Sequence, residues 1–461
     1  MHPTIQSLSH GIRARQISPA ELTHDCLRRI EQLNPKLNAF ITVLAEPALE
    51  QARRAEQEIF RGKYRGPLHG IPIGLKDIVD TAGVRTTAAS ALFKDRVPTE
   101  DAEVVHRLQA DGAIILGKQN LHEFAYGGSS LISFFGAVHN PWDTARVAGG
   151  SSGGSAVSVA TGMGYAAIGT DTAGSIRLPA AYCGVVGLKA TYGRVSARGV
   201  IPLSPSYDHV GPIANSVCDA ALILQVLAGH EAEDNTTANV PVKDYTCGLD
   251  EPMPDVRIGI PRKFFFDDLD AEIAAAVAKA IEVFRQLGAE IRDEIELEVP
   301  TDRKLSSAEA YQYHKEFVAR SPELYQPATL ARIKTGEKAT AEEMQRGKAA
   351  LAAQREAIKK TFDEVDLLLT PTVPIPPASI AEFERNPDSL RPIELMMLRN
   401  TRPFNVWGIP AISVPCGFTG NGMPIGLQLA GAPWSPDPLL RAAHRYEQAT
   451  KWHRQVPPAL R

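Results

Sequence analysis

Residues 149–189 read GGSSGGSAVSVATGMGYAAIGTDTAGSIRLPAAYCGVVGLK, and this stretch decides the fold. It contains two turns of small residues, 149–154 and 169–175, separated by a pattern typical of a short helix followed by a strand. Because glycine adopts backbone angles that other residues avoid, each turn lets the main chain approach its neighbours closely. Each turn also carries serine, and we interpret the two turns as two walls of an active site.

Apolar strand patterns alternate with helical patterns on both sides of this stretch. Residues 68–80 predict a buried strand that ends at Lys76, residues 102–111 predict a helix, and residues 113–117 predict a second buried strand. Such alternation is typical of an α/β fold. Further core strands are predicted at 257–260, 366–370, 411–415 and 426–430.

The chain shows no internal repeat and no low-complexity linker. Since the first and last predicted strands both have the composition of core strands, we predict one domain over residues 1–461. Within it, a core at about 65–215 holds the two turns, and mostly helical patterns at about 300–365 predict an insertion.

Two local patterns make sharper predictions. A helix that begins after Ser18 is predicted to stop at Asn34 and Pro35, because proline does not continue a helix easily. Residues 291–299 alternate apolar and acidic side chains, which predicts a half-buried strand.

Composition excludes several classes of function. The 461 residues carry a formal net charge of −4 without a long run of like charge, so neither a nucleic-acid partner nor a membrane surface is expected. The first residues lack the apolar core of a signal peptide, and no apolar run reaches the ~20 residues that span a bilayer. Five scattered cysteines without a CxxC pair favour reduced thiols and a cytoplasmic location. No metal and no cofactor is expected.

Three interpretations of the two turns fit poorly. Residues 149–153 formally match the G-x-S-x-G nucleophile elbow, but the late histidines, His444 and His453, lie in a terminal helix and tail. A non-catalytic protein could cradle phosphate in a glycine-rich loop, yet no GK[ST] ending follows. Tight packing alone does not explain a cluster of polar residues between apolar strands, namely Ser151, Ser152, Thr170, Asp171 and Ser175.

A fourth interpretation is nucleophilic catalysis without histidine. A serine hydroxyl attacks well only when a base takes its proton. Lysine serves as that base when desolvation lowers its pKa toward neutrality, and Lys76 stands at the end of an apolar strand. Serine–lysine versions of the catalytic triad exist, so this interpretation is the one we favour.

The sequence resembles the amidase signature family through motifs that cover nearly the whole chain: 70–77 (GIPIGLKD), 149–155 (GGSSGGS), 169–177 (GTDTAGSIR), 408–411 (GIPA) and 422–428 (GMPIGLQ). The resemblance implies a single large mixed β-sheet core covered by helices on both faces. It also implies that Ser175 is the nucleophile and Lys76 the base. Ser151, joined to Gly150 by a cis peptide, would relay protons between them.

The resemblance implies supporting roles as well. The oxyanion hole is expected at the backbone N–H groups of Thr172, Ala173, Gly174 and Ser175, although many family members have glycine at the position of Ala173. The turns are expected to be supported by Ser152, Asp171 and Arg177. The substrate pocket is expected at Ala125, Tyr126, Gly127 and Gly128. Aromatic residues at 311–317 and the loop around Phe404, Asn405 and Trp407 are further candidates for the pocket.

By this resemblance the chain is an amidase that hydrolyses a small or aryl carboxylic amide, with carbamates and esters as related substrates. One alternative is the glutaminase A subunit of a glutamyl-tRNA(Gln) amidotransferase, and a phosphate-binding protein is the alternative of another class. We favour a free-standing enzyme, because no residue set that selects glutamine is evident. A small-molecule amide is the expected partner, and a homodimer is the possible assembly.

Overall fold

An eleven-stranded sheet runs through the computed structural model, which describes residues 3–253, 255–293 and 295–458. The strands are β1 Phe40–Val43, β2 Pro72–Lys76, β3 Ile114–Gln119, β4 Ala166–Thr170, β5 Val186–Lys189, β6 Val210–Ala214, β7 Arg257–Ile260, β8 Glu290–Asp293, β9 Leu367–Pro371, β10 Ala411–Phe418 and β11 Pro424–Gly431. Their order across the sheet is β1-β3-β2-β4-β6-β5-β10-β11-β9-β7-β8.

The sheet is mixed. Strand β2 pairs in parallel with β3 and β4, and β7 pairs in parallel with β8 and β9, while the strands between these two groups are antiparallel. Every residue of β2, β4 and β9 is buried, which requires cover on both faces. The prediction of an α/β fold with one large mixed sheet between helices is confirmed.

The α-helices of the described residues are α1 Ile5–Arg13, α2 Pro19–Leu37, α3 Ala45–Phe60, α4 Glu103–Asp111, α5 Gly153–Ala160, α6 Arg177–Cys183, α7 Val217–Leu227, α8 Arg262–Phe265, α9 Ala271–Gln286, α10 Lys304–Arg320, α11 Pro327–Lys334, α12 Ala341–Ala357, α13 Thr361–Glu364, α14 Ile380–Arg385, α15 Leu390–Met397, α16 Pro403–Val406 and α17 Pro436–Thr450. In this part of the chain no helix is both long and apolar enough to cross a membrane. Helices α10–α13 fall in the predicted helical segment, and its description as an insertion stays a prediction.

The predicted stop at Pro35 is wrong, because α2 continues through this proline to Leu37. The helix ends instead where Asn38 adopts a left-handed conformation, with φ at 51°. The Asn34 side chain then bonds the main chain of Phe40 on both its N–H and its carbonyl, at 2.7 and 3.1 Å. These contacts fix the turn from α2 into β1.

The predicted strand at 291–299 is only partly correct. Strand β8 ends at Asp293, and Glu294 lies outside the described residues. Beyond it, Ile295, Leu297 and Val299 are half-buried against a hydrophobic cluster that contains Phe265. Beyond residue 293 the alternation therefore reports side chains that alternate in burial, although the described backbone still bonds to β7 through the Ile295 N–H and the Ile260 carbonyl, at 3.3 Å.

The sheet brings the ends of β2 and β4 together. Because the two strands are parallel and adjacent, Lys76 and Thr170, which end them, lie at the same edge. Helix α5 begins at Gly153, within the first turn, and α6 begins at Arg177, two residues after the end of the second. Both turns therefore meet this edge.

Candidate active site

Lys76 and Ser151 are in direct contact in the interior. The Lys76 Nζ atom is hydrogen-bonded to Ser151 Oγ at 2.7 Å and donates to Thr170 Oγ1 at 2.8 Å. Both Lys76 and Ser151 have no exposed surface. The peptide bond between Gly150 and Ser151 is cis, and the Ser151 carbonyl accepts the His122 N–H at 3.1 Å.

The environment of Lys76 favours its neutral form. Burial lowers the pKa of the Lys76 ammonium from 10.5 to about 7, and the carboxylates of Asp171 and Asp208 oppose this shift only in part. A lysine with this pKa is divided between its charged and neutral forms near pH 7. The group can therefore accept a proton under ordinary conditions.

Ser175 lies beside this pair on the second turn. Its carbonyl accepts the Ser152 N–H at 3.2 Å, and the Ser152 hydroxyl also donates to the Thr170 carbonyl at 3.2 Å, so the two turns are joined. Across the described residues the Ser175 hydroxyl makes no hydrogen bond, to Ser151 or to any other group. It faces a cavity that we call the Ser175 pocket, whose wall includes Ala125, Thr172 and Tyr207.

Backbone donors next to Ser175 suit an oxyanion. The N–H groups of Thr172, Ala173 and Ser175 have no acceptor within the described part of the chain, whereas the Gly174 N–H donates to Asp171 Oδ1 at 2.7 Å. The expected Gly174 donor is therefore engaged by a carboxylate in this structure, and the oxyanion hole stays a prediction that rests on the other three N–H groups. Gly174 has another role: its φ is +132°, and a Cβ there would lie 2.0 Å from Thr401 Oγ1.

A buried ion pair supports the second turn. Arg177 Nη2 and Nε donate to the two oxygens of Asp171 at 2.9 and 3.0 Å, and neither side chain is exposed. Burial raises the pKa of Asp171, but the charge and hydrogen bonds of Arg177 outweigh burial and hold this pKa below its usual range. Arg177 also donates to Asn405 Oδ1 at 2.6 Å and Gln428 Oε1 at 2.7 Å.

We expect Arg177→Met to lower the free energy of unfolding by about 3–5 kcal/mol, because it leaves the buried Asp171 carboxylate without its cation. Urea and thermal unfolding followed by circular dichroism measure this loss. Arg346→Met is the matched control, since it removes the same charge from an exposed ion pair with Glu342. Equal effects of the two substitutions would show that burial of the Asp171–Arg177 pair is not decisive.

The predicted substrate loop forms part of the Ser175 pocket. Ala125, Tyr126 and Gly127 lie in its wall. Gly128 does not, since it packs behind the wall, where a Cβ would come within 3.3 Å of Leu398. Arg332 holds the loop from behind, because its Nη1 donates to the Tyr126 carbonyl at 2.6 Å while its Nη2 pairs with Glu394 at 2.7 Å.

The aromatic candidates for the pocket are not in its wall. Phe404 and Trp407 pack in a core cluster with Phe265, and Asn405 belongs to the Arg177 network. Residues 311–317 contribute aromatic rings to another cluster, around Phe124. Instead, the rest of the wall includes residues that no local sequence motif marks: Leu203, Tyr207, Arg303, Arg391, Leu398 and Arg402.

The first turn is a poor phosphate cradle, because its N–H groups at the start of α5, those of Ser152, Gly153 and Gly154, already have acceptors. Gly153 donates to Ser130 Oγ at 3.2 Å and Gly154 to the Asn120 carbonyl at 3.0 Å. A nucleophile elbow is not supported either, since Ser151 Oγ contacts Lys76, and His444 and His453 line a different cavity from the one that contains Ser175. Among the residues the structure describes, no cluster of three or more His, Cys, Asp or Glu side chains could hold a metal ion.

Comparison with known proteins agrees with this geometry. A family model described as Amidase matches residues 21–440. The A subunit of the glutamyl-tRNA(Gln) amidotransferase of Methylococcus capsulatus is 42% identical over 486 residues, which cover 99% of each chain.

Solved structures resemble the whole chain as well. The 6-aminohexanoate cyclic dimer hydrolase complexed with substrate superimposes with a TM-score of 0.89 at 30% identity, covering 100% of this chain and 99% of the other. The A subunit of the glutamyl-tRNA(Gln) amidotransferase from Thermotoga maritima gives a TM-score of 0.79 at 30% identity, covering 97% and 94%.

Proposed function

Because the chain belongs to the amidase signature family, we propose that it hydrolyses a carboxylic amide through an acyl-enzyme on Ser175. One observation carries the proposal. The 2.7 Å contact between Lys76 Nζ and Ser151 Oγ sits in a site without exposed surface, and the neighbouring turn presents Ser175 to a pocket. A buried lysine beside a hydroxyl is the arrangement that activates serine without histidine.

In the first step the neutral Lys76 amine takes a proton from Ser151 Oγ. Ser151 takes one from Ser175 Oγ as the Ser175 hydroxyl turns toward it. The freed electron pair on Ser175 Oγ forms a bond to the amide carbon, and the carbonyl π electrons move to the oxygen. The N–H groups of Thr172, Ala173 and Ser175 bind this oxyanion, and such donors are worth about 3–4 kcal/mol each.

In the second step the tetrahedral intermediate collapses and its C–N bond breaks. The leaving nitrogen takes a proton that returns from the Lys76 ammonium through Ser151, so ammonia or an amine departs and the amine of Lys76 is neutral again. Water then attacks the ester on Ser175 by the same route. It gives one proton to the relay, and the relay returns that proton to Ser175 Oγ as the acid is released.

The curated relatives favour a second candidate for the biological role. Their name supports a glutamyl-tRNA(Gln) amidotransferase as the assembly, for which we expect glutamine as the amide. This alternative has better support than the free-standing enzyme expected from the sequence. Resemblance to the 6-aminohexanoate cyclic dimer hydrolase supports the free-standing enzyme. Both candidates use the same Ser175 chemistry.

A substrate panel separates the two candidates. The purified chain is assayed for ammonia or amine release from glutamine, an aliphatic amide, an aryl anilide and an aryl carbamate. A free-standing amidase is expected to turn over a simple amide alone. A component of an amidotransferase is expected to be nearly inert alone and to act on glutamine once its partner proteins are added.

The control is the same preparation after Ser175→Ala substitution, which gives the background of each assay. If no amide were hydrolysed by the chain alone or with the amidotransferase partner proteins, the proposed chemistry would be wrong.

A further inference from the structure

Three arginines line the side of the Ser175 pocket that faces helices α10 and α15. Arg303 precedes α10, Arg391 lies in α15, and Arg402 precedes α16. Over residues 3–253, 255–293 and 295–458, no aspartate or glutamate lies in the wall of this pocket. The pocket that contains Ser175 is therefore lined by cations without a facing anion.

The protein compensates the charges of these arginines only in part, since Glu394 attracts Arg391 and Asp302 attracts Arg402 without an ion pair in either case. Among the described residues, Arg303 and Arg391 make neither an ion pair nor a side-chain hydrogen bond, and Arg391 only approaches the Tyr126 ring, at 5.9 Å. Arg402 donates to the backbone carbonyls of Pro300, at 3.1 Å, and Asp302. By contrast, Arg332 behind the wall is paired with buried Glu394 at 2.7 Å.

The pKa values of two of these arginines are lowered by their surroundings. Burial lowers the pKa of Arg303 to about 10, and the nearby charges of Arg402 and Arg391 contribute to this shift. Burial likewise lowers the pKa of Arg391, the Arg332 charge adds to the shift, and the Glu394 carboxylate opposes it in part. Three guanidinium groups in a partly desolvated wall, two of which repel Arg303, leave a site with a positive potential.

Building on the proposed function, we infer that the substrate amide carries a carboxylate, and no ammonium group, on the part of the molecule that occupies the Ser175 pocket. Guanidinium groups bind carboxylates through paired, charge-assisted hydrogen bonds. An anion there would offset the positive charge of the wall, whereas an ammonium group would add to it.

Glutamine fits this pocket incompletely, because its ammonium and carboxylate groups share one carbon. Asp208, on a neighbouring loop, is outside the pocket wall, and three donors already occupy most of its acceptor sites. Its oxygens accept the Thr172 hydroxyl at 2.6 Å and the N–H groups of Leu203 and Ser204 at 2.9 and 3.0 Å. A monoamide of a dicarboxylic acid matches the wall better than an amino-acid amide does.

Three probes of nearly equal size test the inference. Glutaramate has a primary amide and a carboxylate, glutamine adds an α-ammonium group to it, and pentanamide lacks both charges. Their binding to the full chain with Ser175→Ala is measured by isothermal titration calorimetry, which needs no turnover. We expect glutaramate to bind about 10- to 100-fold more tightly than glutamine or pentanamide, because charge-assisted hydrogen bonds change affinity by about this factor. Equal or tighter binding of glutamine or pentanamide overturns the inference, and so does an absence of glutaramate binding.

Substitutions test whether the three arginines of the pocket, which we call the arginine wall, bind the carboxylate of glutaramate. Arg391→Gln, in the Ser175→Ala chain, is expected to weaken glutaramate binding about tenfold, and Arg303→Gln serves the same purpose if the first variant does not fold. Arg385→Gln is the matched control, because Arg385 is exposed on α14 and outside the pocket. An equal effect of the control would overturn the assignment to this wall.

The two proposals can fail separately. If the unsubstituted chain hydrolyses no amide while Ser175→Ala binds glutaramate selectively, the catalytic proposal fails. If the chain hydrolyses glutamine or pentanamide while glutaramate binds no better than these, the inference about the arginine wall fails and the Ser175 chemistry stands.

Discussion

Ser175→Ala is expected to lower kcat by about 10⁴-fold or more, because the oxygen that forms the acyl bond is removed. The residual rate comes from binding and from the oxyanion donors, which the substitution leaves in place. Steady-state release of ammonia measures the loss. Intact-protein mass spectrometry after an acid quench is expected to detect an acyl adduct on the unsubstituted chain and none on the variant.

Ser158→Ala is the matched control for this prediction. Ser158 is a buried serine of α5, and its hydroxyl has no hydrogen-bond partner among the described residues. The variant is expected to keep kcat within about threefold, since nothing depends on that hydroxyl. A Ser175→Ala chain that retained a comparable rate would show that another residue is the nucleophile.

The second large effect concerns Lys76 and pH. Since the neutral amine is the reactive form and its pKa is about 7, kcat/KM is expected to rise with pH up to about pH 7 and to level off above it. Lys76→Met is expected to abolish this rise and to lower kcat by about 10²–10⁴-fold, the contribution of a positioned base. Rates measured from about pH 5 to 9, two units on each side of that pKa, test both statements.

Lys76→Arg distinguishes a base from a fixed cation. An arginine keeps the positive charge but does not lose its proton at these pH values, so this variant is expected to be as inactive as Lys76→Met at every pH. An active arginine variant with an unchanged profile would mean that the charge of Lys76, and not its neutral amine, supports the reaction.

Much of the fold could be predicted because its buried strands are short continuous apolar runs. Strands β2, β3 and β9 lie where such runs predict them. Strand β6 was not predicted, since Gly211 and Pro212 interrupt its pattern. It forms because its neighbours pair with it, as Pro212 with Ile168 of β4. That pairing is decided by residues distant in sequence.

The site also combines local motifs, which the sequence predicts, with contacts between residues distant in sequence, which it does not. The two turns are local motifs, and the sequence located both. Contact between Lys76 and Ser151, which are 75 residues apart, follows from the resemblance and not from spacing, and depends on β2 and β4 lying side by side. The arginines of the Ser175 pocket come from separate helical segments without a shared motif. Only the folded chain brings Arg303, Arg391 and Arg402 to one wall.

The acceptors of Arg177 have a consequence for biosynthesis. Asn405 and Gln428 follow Arg177 by 228 and 251 residues. A polypeptide still attached to the ribosome at residue 400 already contains both signature turns and Lys76, yet it lacks two of the groups that satisfy this guanidinium. The support of the second turn is therefore completed only once residues 405–428 have been translated, and we expect chains truncated at residue 400 to lack the proposed amide hydrolysis.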